Sequence, residues 1–165
     1  MRYADGPEMI VSVEIDAPVA TVWGLVTDID LPARFSDEFQ GAEWLNAPHG
    51  PALGATFRGR NQIQRIGSWE VVCTVTEFES ERRFGWAVGD LAAPAARWRF
   101  ELEPIGSGTV LRQWAHMGPG RSGLTPRIEA HPEREEAIVE MRLETWKRNM
   151  EATIGGIKAL AEGFA

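Results

Sequence analysis

Residues 132–164, PEREEAIVEMRLETWKRNMEATIGGIKALAEGF, decide how the rest of the chain is read. Pro132 presets φ for a helix start, and Glu133, Glu135 and Glu136 suit the positive end of a helix dipole. From there Val139, Leu143, Trp146, Met150, Thr153, Ile157, Leu160 and Phe164 recur in steps of four and three, which marks one face of a helix. Glu140, Arg142, Glu144, Lys147, Arg148 and Glu151 fall on the opposite face, which is expected to meet water. About 30 residues make a rod of roughly 45 Å, long enough to cross a small domain. Gly155 and Gly156 interrupt it, each at a cost of up to ~1 kcal/mol relative to Ala. They predict a bend, or a close approach of the helix backbone to a neighbour. A coiled-coil partner is the competing reading, but the stripe spans few heptads and Thr153 interrupts it. Everything upstream reads as sheet, so a sheet is the expected partner.

With 165 residues, the chain is expected to form one domain over 1–165, large enough to bury a core without staples. Cys73 is the one cysteine; it excludes an intramolecular disulfide and fits a reducing cytoplasm, the expected location. The opening residues MRYADGPEMI hold no apolar run suited to a signal peptide. No stretch approaches the ~20 apolar residues of a membrane span, so integral membrane association is not expected. A net charge of −7 argues against a nucleic-acid partner, which calls for a basic face. Seven tryptophans stand against one tyrosine, a bias that predicts an aromatic core or an aromatic-lined cavity. Monomer and homodimer both stay open.

In chain order, Val11, Val13 and Ile15 alternate with Ser12, Glu14 and Asp16, the pattern of a half-buried strand. Ala17-Pro18 ends it and opens a short helix carrying Val19, Val22, Trp23 and Val26, with a second turn around residues 31–35. Strand-like segments follow over 39–46, 54–64, 69–79, 82–88, 95–104 and 109–117, separated by turn residues such as Ala47-Pro48-His49-Gly50-Pro51 and Gly106-Ser107-Gly108. Phe57, Gly59 and Asn61 share one face, as do Trp69, Val71, Cys73 and Val75. Phe84, Trp86 and Val88 form a third set, and Ala96, Trp98, Phe100 and Leu102 a fourth. In the last strand Leu111, Gln113 and Ala115 compete with Val110, Trp114 and His116 for the inner face, and the first set is favoured. Short turns imply an antiparallel meander. The fold class is therefore α+β: a curved antiparallel sheet of about six to seven strands round a long C-terminal helix, with two short helices after the first strand.

The segments VEIDAPVATVWGLVTDID, GATFRGRNQIQRIGSWEV, TEFESERRFGWAV and WRFELEPIGSGTVLRQW resemble the polyketide cyclase/dehydrase-like branch of the START-related helix-grip superfamily. The resemblance runs over residues 9–161. It implies a sheet gripping the C-terminal helix, with a deep cavity between them that takes hydrophobic small molecules such as lipids, sterols, hormones or polyketides. It also implies, for a minority of members, cyclisation or dehydration of aromatic polyketides. No acid–base motif of the aromatases carries over residue by residue.

Asn61 is in phase with Phe57 and Gly59, and Gly59 leaves room beside it, so this amide is expected inside, bonded to backbone or to a ligand. Gln113 is the second inward polar candidate. Trp69, Trp86, Trp98, Trp146 and Met150 are expected to fill or line the space under the helix. Arg58, Arg60, Arg97 and Arg99 alternate with apolar residues and are expected on a solvated sheet face. His49, His116 and His131 lie at loops or strand ends without ligand spacing, so neither a metal nor an organic cofactor is expected. Cys73 should be an inert buried thiol, and Asp28 and Asp30 turn or cap residues. Residues 118–126, rich in Gly and Pro, form a long loop before the last helix, placed either to cover a cleft or simply to connect. The favoured function is binding of a hydrophobic or aromatic small molecule between sheet and helix. The alternative is a cofactor-independent cyclase/dehydratase, with Asn61, Gln113 and water orienting carbonyls and enolates. A protein-interaction module is the third class.

Overall fold

The computed structural model describes residues 1–46 and 50–163, so Ala47, Pro48, His49, Phe164 and Ala165 lie outside the described residues. The order of elements is β1 (Glu8–Ile15), α1 (Val19–Val26), a 3-10 turn (Leu31–Arg34), β2 (Phe39–Trp44), β3 (Thr56–Ile63), β4 (Gly67–Glu79), β5 (Arg83–Val88), β6 (Ala96–Ile105), β7 (Gly108–Met117), α2 (Thr125–Ala130) and α3 (Glu135–Ala161). The strands make one antiparallel sheet in the order β1-β7-β6-β5-β4-β3-β2, so the first strand closes onto the last. Two register shifts, between Phe39 and Gly41 and between Val75 and Glu77, add an extra residue to β2 and β4. Such bulges bend and twist a strand locally.

Directly paired residues point to the same side of a sheet, so the register fixes the inner face. Met9, Ala115, Trp98, Trp86 and Val75 make one row across five strands. Val11, Gln113, Phe100 and Phe84 make a second. Trp44, Phe57, Cys73, Val88 and Ala96 make a third. On β7 it is Leu111, Gln113, Ala115 and Met117 that are buried, which fixes the face in favour of the first set.

The helix α3 runs closest along β1, with lesser contact to β7 and α1. Its buried stripe is Val139, Trp146, Met150, Thr153 and Ile157, as the spacing predicts, widened by Ile138 and Ile154. The helix proper begins at Glu135, after a separate 3-10 turn over Pro132–Arg134. At its far end Val22 and Val26 of α1 are buried, and the Trp23 ring lies 5.6 Å from Phe78, so α1 closes that end of the sheet.

Both edges of the sheet are tied to α3. On the β1 side the Lys158 ammonium donates to the Glu14 carbonyl at 2.9 Å, and the Asp16 N–H donates to the Glu162 carboxylate at 3.3 Å. On the β2 side Arg142 grips the Glu38 carboxylate in a two-pronged ion pair, with the second contact at 2.7 Å. The Asp37 N–H adds a bond to the Asn149 side chain at 3.2 Å. Arg142 therefore does not face open water: its side chain is only 20% exposed. The segment before β2 folds over that flank of the helix, which the helical period alone could not reveal. Residues 118–131 are likewise more than a loop, since they contain α2, whose Ile128 packs with Leu124 against the core.

The two glycines of α3 play different parts. Gly156 presses on the Phe35 ring so closely that a Cβ there would collide with it, whereas nothing lies near Gly155. The helix stays continuous through both, and at Gly156 the interruption marks a close approach. Gly155→Ala is expected to stabilise by up to ~1 kcal/mol through helix propensity. Gly156→Ala is expected to lose about 1–3 kcal/mol, because Phe35 must move out of a packed site. Urea midpoints of the two variants check this; midpoints that shift in the same direction contradict the contact.

Candidate functional site

A continuous run of ring contacts crosses the inner face. Trp44 lies 5.5 Å from Phe57, Phe57 lies 5.7 Å from Trp86, and Trp86 lies 5.4 Å from Phe84 and 6.1 Å from Phe100. Tilted and edge-on arrangements at these distances are the favourable ones for aromatic rings. Trp98 reaches up to α3, its ring centroid 4.8 Å from that of Trp146. Met150 follows one turn along the helix and is buried. The sequence-predicted residues Phe57, Trp86, Trp98, Gln113, Trp146 and Met150 are thus brought into one region between sheet and helix.

Gly59, Asn61 and Trp69 sit further out on the same face. A Cβ on Gly59 would touch Phe39 and Val71 at 3.4 Å, so its missing side chain lets those two close over the strand. Asn61 pairs with Trp69 and Phe39 near the end of β3 and is half-buried, not sunk in the interior. The sequence missed Phe39 and Trp44, because β2 lacks clear alternation. Their signal lies in the pairing with β3, which puts Trp44 opposite Phe57.

Several of these rings keep accessible surface although they point into the concave side. Phe39, Trp44, Trp69, Phe78, Trp86 and Trp98 are only half-buried. By contrast Phe84 and Phe100 are fully enclosed. Among the described strands α3 packs closest on β1 and less on β7. The inner face therefore combines fully enclosed rings, Phe84 and Phe100, with rings on β2 and on β4 to β6 that keep accessible surface.

The polar atoms on this face separate sharply. The Thr109 hydroxyl donates to the Ala17 carbonyl at 2.8 Å, and the Thr153 hydroxyl to the Asn149 carbonyl at 2.9 Å. The Gln113 side-chain oxygen and the Trp146 indole nitrogen are buried and have no hydrogen-bond partner among the described residues. Leaving such groups unpaired costs on the order of 1–3 kcal/mol each.

Cys73 is the one inward side chain of the described strands that titrates, and burial pushes its thiol up to about 12. The arginines point outward, but Arg99 is not solvated as expected. It lies over the Trp114 ring at 4.3 Å, with Glu101 at 2.7 Å and Glu77 at 3.3 Å. Arg58 reaches Glu43 at 3.3 Å and Glu70 at 3.6 Å; Arg60 and Arg97 are exposed. Asp28 and Asp30 are turn residues: the Asp30 N–H donates to the Asp28 carboxylate at 3.0 Å, and the Ala42 N–H to the Asp30 carboxylate at 2.9 Å.

Residues 7–162 match the family described as polyketide cyclase / dehydrase and lipid transport. The chain belongs to that family. Among solved structures it is similar to a Polyketide_cyc-like protein of Corynebacterium glutamicum, at 28% identity over 95% of this chain and 92% of the other, with a TM-score of 0.59. The fold is shared with the di-domain ARO/CYC BexL of the BE-7585A biosynthetic pathway, at 16% identity, a TM-score of 0.70, and coverage of 96% of this chain and 50% of the other. It is shared too with the Zhui aromatase/cyclase of a Streptomyces species, at 13% identity over 93% and 94% of the two chains and a TM-score of 0.66. No curated protein sequence matches. The helix-grip α+β architecture read from the sequence is thus the family's own, and no described helix is long and apolar enough to cross a membrane.

The thiol gives a direct check on the interior. In the folded state Cys73 holds its proton to about pH 12, against an ordinary value of 9.0. Above pH 9 the unfolded chain binds fewer protons than the folded one, so stability falls as pH rises from 9 towards 12, and the contribution is intact below 9. At pH 8 a thiol reagent is expected to label Cys73 only in denaturant. Rapid labelling of the native protein contradicts the buried placement.

Proposed function

We propose that the protein binds a hydrophobic small molecule, aromatic in part, in the cleft between the inner sheet face and α3. One observation carries this reading: Trp44, Trp69, Trp86 and Trp98 face the concave side yet stay half-buried. Covering apolar surface is worth roughly 25 cal/mol per Å², so a ligand that fills the space is stabilised by the rings that line it. A cleft of this make-up, mostly aromatic with a few neutral polar groups, is what a small-molecule site requires. The family description, with its joint mention of polyketide chemistry and lipid transport, supports the same class of ligand.

A second reading is supported by the two neighbours named as aromatase/cyclase or ARO/CYC. On that reading the protein is a cofactor-independent cyclase/dehydratase, in which Asn61, Gln113 and water orient carbonyls and enolates. General acid–base catalysis needs a group that exchanges a proton near the working pH. The inward residues of the described strands include no His, Asp, Glu, Lys or Arg, and Cys73 holds its proton far too tightly. The binding reading therefore stands first.

Titration with N-phenyl-1-naphthylamine, an apolar fluorescent probe, is expected to quench indole emission and saturate at one equivalent. Gly59→Phe, which puts a ring among Phe39 and Val71, is expected to weaken the probe by about tenfold or more while the far-UV spectrum is kept. A wild-type protein that does not bind the probe up to its solubility limit overturns the reading. Turnover of a poly-β-ketone thioester, with cyclised product seen by chromatography, would move the second reading to first.

A further inference from the structure

Charge is divided between the two faces of the sheet. On β3 Arg58 and Arg60 point out, while Phe57, Gly59 and Asn61 point in. On β6 Arg97, Arg99, Glu101 and Glu103 point out, while Trp98, Phe100 and Leu102 point in. Phe39, Trp44, Trp69, Trp86 and Trp98 keep accessible surface on the inner side. Of the described strand residues that share that side with them, only Cys73 is ionisable, and it holds its proton. One cation approaches from α3. The Arg142 guanidinium lies 5.8 Å from the Trp146 ring, but both oxygens of the Glu38 carboxylate already engage it. The other α3 cation that meets the sheet, Lys158, is held by Glu162 at 2.7 Å.

We propose that this face takes uncharged ring molecules and rejects organic anions, so that carboxylate, sulfonate and phosphate amphiphiles are excluded. This rests on the small-molecule reading above and adds to it the charge class of the ligand. An anion that leaves water is stable only beside a cation or several converging donors. The described inner face supplies no free cation, and the half-buried amide of Asn61 is no substitute for one. The accessible rings oppose an anion further, because the face of an aromatic ring carries the negative end of its quadrupole. A net charge of −7 over the whole chain acts in the same direction. Among apolar molecules this separates fused-ring phenols and ketones, which are admitted, from fatty acids and phospholipids, which are not.

The test uses two pairs of ligands that differ in charge and little else. N-phenyl-1-naphthylamine is matched by 8-anilinonaphthalene-1-sulfonate, and 1-naphthylacetamide by 1-naphthylacetate. All four are titrated into the full chain at neutral pH, by indole quenching and by displacement of the apolar probe. The uncharged member of each pair is expected to bind about a hundredfold tighter or more. Asn61→Lys puts an ammonium on the inner face between Phe39 and Trp69, and is expected to shift the acetate-to-acetamide ratio about tenfold towards the acetate. Ratios within one variant are compared, so a general loss of packing cancels, and the pairs on the unaltered protein decide if the variant fails to fold. An anion that displaces the apolar probe as readily as its uncharged partner overturns the charge selection, while the binding function survives. A folded Asn61→Lys protein with an unchanged ratio also overturns it, since the anion is then refused by shape and not by charge. If neither uncharged ligand binds, the binding function itself falls, and this inference with it.

Discussion

One helix cannot cover seven strands, and the rest of the structure follows from that mismatch. Strands lie about 4.8 Å apart, so seven span roughly 29 Å, against a helix diameter of about 10–12 Å with side chains. An antiparallel sheet with one apolar face must either curl or find more cover. Here it does both. Bulges in β2 and β4 add curvature, and α1 plugs one end. The long helix packs closest on β1, and Phe39, Trp44, Trp69 and Trp86, towards the other edge, keep accessible surface. The accessible rings thus follow from a covering problem and are not a separate feature added to a finished core.

The way α3 is held differs on its two sides. Against β1 the contact is close and continuous, with Ile154 and Ile157 of the helix and Val11 and Ile15 of the strand all buried in the core. Towards β2 it is held by Arg142 on Glu38, Asn149 under Asp37, and Phe35 wedged on Gly156. A partly buried, two-pronged arginine–carboxylate pair is stronger and more directional than an exposed one. It fixes the distance between helix and far edge without filling the space between them.

Much of this was legible in the residues. The four-three spacing of Val139 to Ile157 gave the buried stripe of α3, and period-two alternation in β3 to β7 placed Phe57, Trp86, Trp98 and Gln113 on one face. Those patterns are local, and local periodicity is what a chain displays openly. The missed features were pairwise and distant. Arg142 looked solvent-bound because nothing in its own helix reveals Glu38, 104 residues earlier in the chain. Arg99 looked solvated because its partners Glu77 and Trp114 belong to other strands. Trp44 went unread because the bulge in β2 breaks the alternation that would have displayed it. Asn61 was assigned to the right face but to too deep a level, since phase says which side a residue faces and not how far along the cleft it sits.

The open sheet also has two edges, and both are occupied in an economical way. Along β1 the Glu14 carbonyl accepts a hydrogen bond from Lys158, and just beyond the strand the Asp16 N–H donates one to Glu162. Along β2, a strand of six residues with a bulge, the Ala42 amide is taken by Asp30. Unpaired edge groups are templates on which another chain can add a strand, and short, bulged or side-chain-capped edges resist this. Edges of this kind leave few free groups on which a second copy could add a strand. The inner-face rings keep accessible surface without the self-templating hazard that an uncapped seven-stranded sheet would carry.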